Sequence, residues 1–328
     1  MTKPTAKVID VHTHMFSQSW VDVVNASSKE HFRLDPKENM MMFRGLPIGR
    51  LVPAMLDYDL RIRNMDKAGV DVALISLTGP NVYWGTDAEN MKAARAINDA
   101  FREAEKKYDG RIRWMASLPW LNEGDSLEEL RRAKKNGAIG ICMLTNIMGT
   151  PLTDPRFKKI WREVEAARLP VFIHPMTQYT DGLGLNEYSL ANTIGFTTDS
   201  SLCFARLIHS GFFDEFPKLD LIACHGGGAL PYLIARFDRM WKVSTIASGT
   251  IKNPPSSYLK RIYFDAIVYD QRTLEYLIDQ VGVDRVLYGS DYPFNLGDMA
   301  GVLARVDALG AERADAIRSG NTLKLFDL

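Results

Sequence analysis

The sequence predicts an α/β protein, a single (β/α)8 barrel of the TIM type, from three observations. Eight short β-rich runs alternate with longer helical patterns. Most of the runs are continuous apolar stretches without alternation, as strands covered on both faces of a parallel sheet require. No glycine-rich dinucleotide fingerprint follows the first run, which weakens the rival doubly wound open sheet.

The expected strands are KVIDVH (7–12), DVALISL (71–77), IRWMASL (112–118), AIGICML (138–144), LPVFIH (169–174), LDLIACH (219–225), RIYFDAI (261–267) and DRVLYGS (284–290). Between them, residues 86–108 carry an apolar stripe and open with Thr86, followed three residues later by Glu89, a capping-box start. Residues 153–168 enter a helix through an Asp-Pro pair. Gly69, Gly110 and Gly137 follow helical patterns, where a C-terminal glycine belongs. The stretch 15–55 is Met-rich and reads as an irregular insertion after strand 1, a lid or a contact with another subunit. The whole chain, 1–328, is expected to form one domain.

Bulk properties narrow the function. The 328 residues are 46% hydrophobic and 24% charged, a globular composition with enough apolar residues for a large core. Lys+Arg and Asp+Glu each count 40, so no basic field favours nucleic acid or an anionic membrane. No apolar run reaches the roughly 18 residues of a membrane span, and the N-terminal stretch lacks a signal-peptide apolar region. Cys142, Cys203 and Cys224 are widely spaced and odd in number. They form neither a disulfide framework nor a metal knuckle, and a reducing cytoplasm is the expected setting.

Chemistry in such a barrel sits at the C-terminal ends of the strands. Four of the six histidines fall there: His12 and His14 after strand 1, His174 after strand 5 and His225 after strand 6. Strand 8 ends in Asp291. Residues two apart on a strand share a face, so His12 and His14 can address one ion. Each residue alone has an ordinary use, as a loop hydrogen bond for His174 or a turn for Asp291. Three imidazoles and one carboxylate on one rim form a set suited to zinc or a similar divalent ion, Mn2+ included. His225, before three glycines, is expected to stay free as a general acid or base. It forms the catalytic pair with Asp291, which is also a ligand. His31 and His209 are expected to do no chemistry. Strand 4 ends CMLTN, without the lysine or glutamate that would bridge two ions, so one metal is expected.

With these motifs, HxH, HP, HGGG and GSDYPF, the chain resembles the amidohydrolase superfamily. Within it, the chain is most similar to the aminocarboxymuconate-semialdehyde decarboxylase-like family. The likeness includes RIRNMDKAGVDVALIS (61–76), VYWGTDAEN (82–90), FDEFPKLDLIACHGGGALPY (213–232), FDAIVYD (264–270), VLYGSDYPFNLGD (286–298) and SGNTLKLF (319–326). It implies the same ligands, His12, His14, His174 and Asp291, with His225 catalytic, zinc as the usual ion, and a homodimer whose interface completes the site. FRGLP (43–47) resembles the family's lid, so Arg44 is the candidate for binding a substrate carboxylate, and Trp84 matches a pocket segment. The chain departs from the family in the helix after HGGG. Arg236 and Arg239 come earlier than the second carboxylate-binding arginine, whose position holds none, and Lys242 lies nearby. The acidic residue that aromatic-acid decarboxylases carry shortly after the strand-6 histidine is replaced by glycine and alanine.

The expected activity is metal-dependent, non-oxidative decarboxylation of a small unsaturated or aromatic carboxylic acid. A hydrolase on the same scaffold, such as a lactonase, is the alternative, and a non-catalytic metal-binding protein the remaining one.

Overall fold

The structure, a computed structural model, describes residues 7–27, 31–35, 37–43, 46–176, 184–185 and 187–328. Eight parallel strands follow one another around a barrel in chain order. They are β1 (Ile9–His14), β2 (Val72–Ser76), β3 (Ile112–Ala116), β4 (Gly140–Leu144), β5 (Val171–His174), β6 (Leu221–Ala223), β7 (Ile262–Asp265) and β8 (Val286–Leu287). The segment after β8 returns to β1. His14 N donates to Tyr292 O at 2.8 Å, and Asp291 N donates to His12 O at 2.8 Å. The predicted barrel is therefore observed, with each strand two to five residues shorter than its apolar run, except β1.

β1 runs two residues further than its expected end, so both histidines of HTH lie inside the strand. β8 is the shortest, yet the chain stays beside β1 beyond it: Val11 N donates to Tyr288 O at 3.0 Å and Ser290 N to His12 O at 3.1 Å. A Cβ at Gly289 would lie 2.7 Å from His12 Cβ, so only glycine fits there.

Helices cover the barrel: α1 (Gln18–Ala26), α2 (Tyr58–Ala68), α3 (Asp87–Lys107), α4 (Glu123–Lys135), α5 (Lys158–Ala167), α6 (Phe196–His209), α7 (Leu230–Val243), α8 (Gln271–Val281) and α9 (Met299–Asp307). The Thr86–Glu89 capping box opens α3, with both reciprocal hydrogen bonds made, a cap worth about 0.5–2 kcal/mol. The helix expected over 153–168 divides: Asp154 caps a 3-10 turn at Pro155–Phe157, and α5 begins only at Lys158. Gly69 ends α2 in the left-handed conformation, as its position in the sequence predicts.

Two apolar layers result. One, inside the barrel, contains Val11, Leu74, Cys142, Phe172 and Ile222, and Phe326 of the C-terminal helix packs into the same cluster. The other lies between strands and helices and holds most of the buried aromatic residues. The inner layer stops at Phe172, whose ring meets His12 edge-on with centroids 4.9 Å apart. Apolar floor gives way there to polar mouth.

The insertion is more regular than expected. α1 is followed by a three-stranded antiparallel sheet, Phe32–Asp35, Met40–Phe43 and Leu46–Arg50. Phe32, Met41 and Phe43 point into the outer core and are buried, which anchors strands too short to stand alone. The insertion starts and finishes at one place: Phe16 N donates to Met55 O at 2.8 Å.

Candidate metal centre

Five side chains meet in the barrel mouth, and each is placed by the end of a strand. His12 and His14 close β1 and are fully buried. His174 closes β5 and is also buried. Asp291 and His225 come from the turns after β8 and β6, and both take the left-handed backbone, with φ of 59° and 53°. That conformation is costly for a residue with a Cβ. At His225 it is sustained by the glycines behind it. A Cβ at Gly226 would come within 2.5 Å of Val268, and one at Gly228 within 2.1 Å of Thr197 O.

His12 Nε2 and His14 Nε2 lie 3.3 and 3.4 Å from Asp291 Oδ1, and His225 Nε2 lies 3.7 Å from Asp291 Oδ2. The rings of His14 and His174 are 4.8 Å apart. Donor atoms of His12, His174, His225 and Asp291 fall within 4.8 Å of one another. His12 Nε2, His14 Nε2 and Asp291 Oδ1 are buried and make no hydrogen bond. Buried polar atoms without partners are expensive, and here several converge. Imidazole nitrogens and a carboxylate are the donors that a divalent transition ion takes. The residues fit such an ion.

The far nitrogens explain why these lone pairs face inward. His12 Nδ1 donates to Asp265 Oδ2 at 2.6 Å, His14 Nδ1 sits 3.2 Å from Ser76 Oγ, and His174 Nδ1 donates to Pro175 O at 2.9 Å. At His12 and His174 an acceptor-only partner at Nδ1 fixes the tautomer and leaves Nε2 as an acceptor, while the Ser76 hydroxyl orients the His14 ring. His225 differs: its Nδ1 is buried and makes no hydrogen bond.

Protonation follows burial and neighbours. Burial pushes His14 down to about 4, against the pull of Asp291. Burial also drives His174 well below the usual imidazole range, helped by the other histidines. Burial opposes charge on His12, but the Asp265 carboxylate bonded to Nδ1 and the Asp291 carboxylate facing Nε2 override it and raise its pKa to about 10. Burial would raise Asp291, yet the three facing imidazoles hold it well below the ordinary carboxylate range.

A second layer holds the first. Arg61, fully buried in α2, donates Nη1 to Thr13 Oγ1 at 2.7 Å and Nη2 to His14 O. Its guanidinium lies 4.7 Å from the centre of the Tyr292 ring. Asp10 Oδ2 accepts from Ser290 Oγ at 2.6 Å, tying β1 to the turn that carries Asp291. Sequence reasoning passed over Asp265, Ser76 and Arg61. Asp265 and Ser76 each end a buried strand, and the strand-end rule that selected the histidines selects them too.

Other expectations fall elsewhere. Arg44 lies outside the described residues. Trp84 is buried, packs against Trp20 and Phe32, and donates Nε1 to Asn81 O at 3.1 Å. His209 ends α6 with its ring on Phe237, and neither it nor His31 joins the cluster. After β4, Thr145 Oγ1 donates to Asp199 and Asn146 Nδ2 to Met176 O, so neither is aimed at a second ion.

The family model for amidohydrolases matches residues 9–328. The chain belongs to the amidohydrolase family. Among its relatives, 2-amino-3-carboxymuconate-6-semialdehyde decarboxylase of Dictyostelium discoideum is 27% identical over 334 residues, covering 98% of this chain and 91% of that protein. Gamma-resorcylate decarboxylase of Rhizobium sp. strain MTP-10005 is 29% identical over 295 residues, covering 82% of this chain and 87% of that one. A crystal structure of 5-carboxyvanillate decarboxylase from Novosphingobium aromaticivorans superposes with a TM-score of 0.85 at 25% identity, covering 98% of this amidohydrolase and 96% of that chain. That structure is complexed with manganese and 4-hydroxy-3-methoxy-5-nitrobenzoic acid.

Proposed function

We propose that this amidohydrolase is a metal-dependent, non-oxidative decarboxylase of a small unsaturated or aromatic carboxylic acid. The observation that carries the reading is the pairing of three imidazoles hydrogen-bonded at Nδ1 with a fourth that is not. Those three, with Asp291, would hold one divalent ion, Zn2+ or Mn2+. The relatives and the manganese-bound neighbour, all decarboxylases by name, support the reaction class.

When bound, the ion supplies positive charge that orients the substrate and offsets negative charge developing beside it. The rest falls to the chain. The bond from carbon to carboxylate breaks, carbon dioxide departs, and the electron pair stays on carbon. His225 Nε2, facing Asp291, delivers a proton to that carbon and regains one from solvent. Phe172 closes the floor beneath the imidazoles and excludes water from below. Arg44 is assigned the substrate carboxylate, as a bidentate anchor. Trp84 is assigned to shape the mouth indirectly, through Trp20 and Phe32 of the insertion.

The barrel and its insertion act in this reading as one domain. Exposed Tyr232, Met240, Val243 and Ile246 along and after α7 give an apolar face that supports a homodimer. Three buried, unpaired cysteines support a place in the cytoplasm. Among the described residues, no helix is long and apolar enough to cross a membrane.

The test is carbon dioxide release from Zn2+- or Mn2+-loaded protein on a panel of hydroxybenzoates, carboxyvanillates and amino-carboxymuconate semialdehydes. Metal-dependent release on any of them is the expected result. Metal-dependent opening of lactones with no carbon dioxide from the panel would replace the decarboxylase with a hydrolase.

A further inference from the structure

Asp265 stands where the two halves of the mouth meet. It ends β7, is fully buried, and receives four hydrogen bonds. Oδ2 accepts from His12 Nδ1 at 2.6 Å and from His225 N at 2.9 Å. Oδ1 accepts from Gly226 N at 2.9 Å and from Ile267 N at 3.1 Å. A carboxylate offers about four acceptor sites, so all are occupied. Although His12, Cys224 and Asp265 lie close enough together to suit an ion, Asp265 has no lone pair left for one. Cys224 Sγ is engaged as well, 3.0 Å from Ile173 O.

The two bonds to Oδ2 do different things. The bond from His12 fixes which nitrogen carries the proton, and so presents Nε2 to the centre. The bond from His225 N, with that from Gly226 N, holds the turn in which His225 keeps φ at 53°. An L-residue leaves that conformation unless its surroundings enforce it. His225 makes no hydrogen bond at Nδ1, so its ring is held only by Asp291 facing Nε2 and by its ring neighbours, and the backbone bonds to Asp265 carry the turn.

We infer that Asp265 is a positioning residue with two simultaneous tasks: it sets the tautomer of His12 for metal binding and the backbone of His225 for proton delivery. This rests on the reading that His12 is a ligand and His225 the proton donor. Ser76 is the natural control. It meets His14 at the same ring nitrogen, 3.2 Å away, but among the described residues makes no hydrogen bond to the β6 turn.

The experiment compares Asp265→Asn with Ser76→Ala. The amide keeps one acceptor oxygen and turns a donor towards donors. Mn2+ affinity is measured by chelator competition, without substrate. Both variants are expected to bind Mn2+ more weakly, by about 10–100-fold for Asp265→Asn. At saturating Mn2+, kcat is expected to recover in Ser76→Ala and to stay at least about tenfold low in Asp265→Asn, the lower end of what a misplaced acid or base loses. Recovery of kcat in both variants would overturn the second task; unchanged Mn2+ affinity in Asp265→Asn would overturn the first. Circular dichroism establishes that each variant is folded. The wild type gives an answer that needs neither variant nor substrate: the amides of His225 and Gly226 should exchange hydrogen slowly, and fast exchange of both would sink the pairing. If no substrate is turned over, the decarboxylase reading fails, while metal affinity and exchange still decide the role of Asp265.

Discussion

Three imidazoles in the mouth are tied at Nδ1, to a carboxylate, a hydroxyl and a backbone carbonyl, whereas His225 leaves that nitrogen without a hydrogen bond. All four come from strand ends, the His225 ring approaches those of His12 and His174, and distance alone would admit His225 to a ligand set. What separates them is the far side of the ring. An imidazole whose Nε2 lone pair holds an ion has no site left to take up a proton. An imidazole free to exchange its proton between two nitrogens can serve as acid and base in turn.

The largest effect that would break this division is on the ligand side. His174→Ala is expected to abolish stoichiometric binding of Zn2+ or Mn2+, and turnover with it, by metal analysis of the purified protein. Full occupancy in that variant would dismiss His174 as a ligand. Next comes the unfixed ring. His225→Asn is expected to retain full metal occupancy while kcat falls by about 10²–10⁴-fold, the usual share of a general acid or base. Near-normal kcat would reassign the proton to another group. Smaller again is Ser76→Ala, which removes the partner of His14 Nδ1 and leaves the ring in place. The expected result is about a tenfold loss of metal affinity, at the low end for an outer partner of a metal ligand. An unchanged affinity would show that burial alone orients His14.

Much of this centre was legible in the sequence. Strands buried on both faces are apolar throughout, so a polar residue at the end of one stands out, and His12, His14, His174, His225 and Asp291 did. The same signal was present at Asp265 and Ser76. Each sits inside an apolar-looking run, FDAI or LISL, and has no metal-ligand motif to draw attention. Arg61 was hidden for another reason. It reads as one of several charges on a helix, and only the packing shows it reaching 48 residues back to Thr13. The insertion misled through length. Strands of four or five residues give too few positions for alternation to register, and the Met40–Phe43 strand is apolar on both faces in sequence although only Met41 and Phe43 are buried. α5 began late because Pro155 fixes a tighter turn first.

The hydrogen bond from Phe16 to Met55 closes the insertion at its neck, and Arg61, six residues past that neck, is fastened to β1. A segment bounded in this way is a cassette. Its inner side chains, Trp20, Phe32, Met41 and Phe43, load the outer core from one point of attachment, while the neck and the guanidinium hold His12 and His14 where they are.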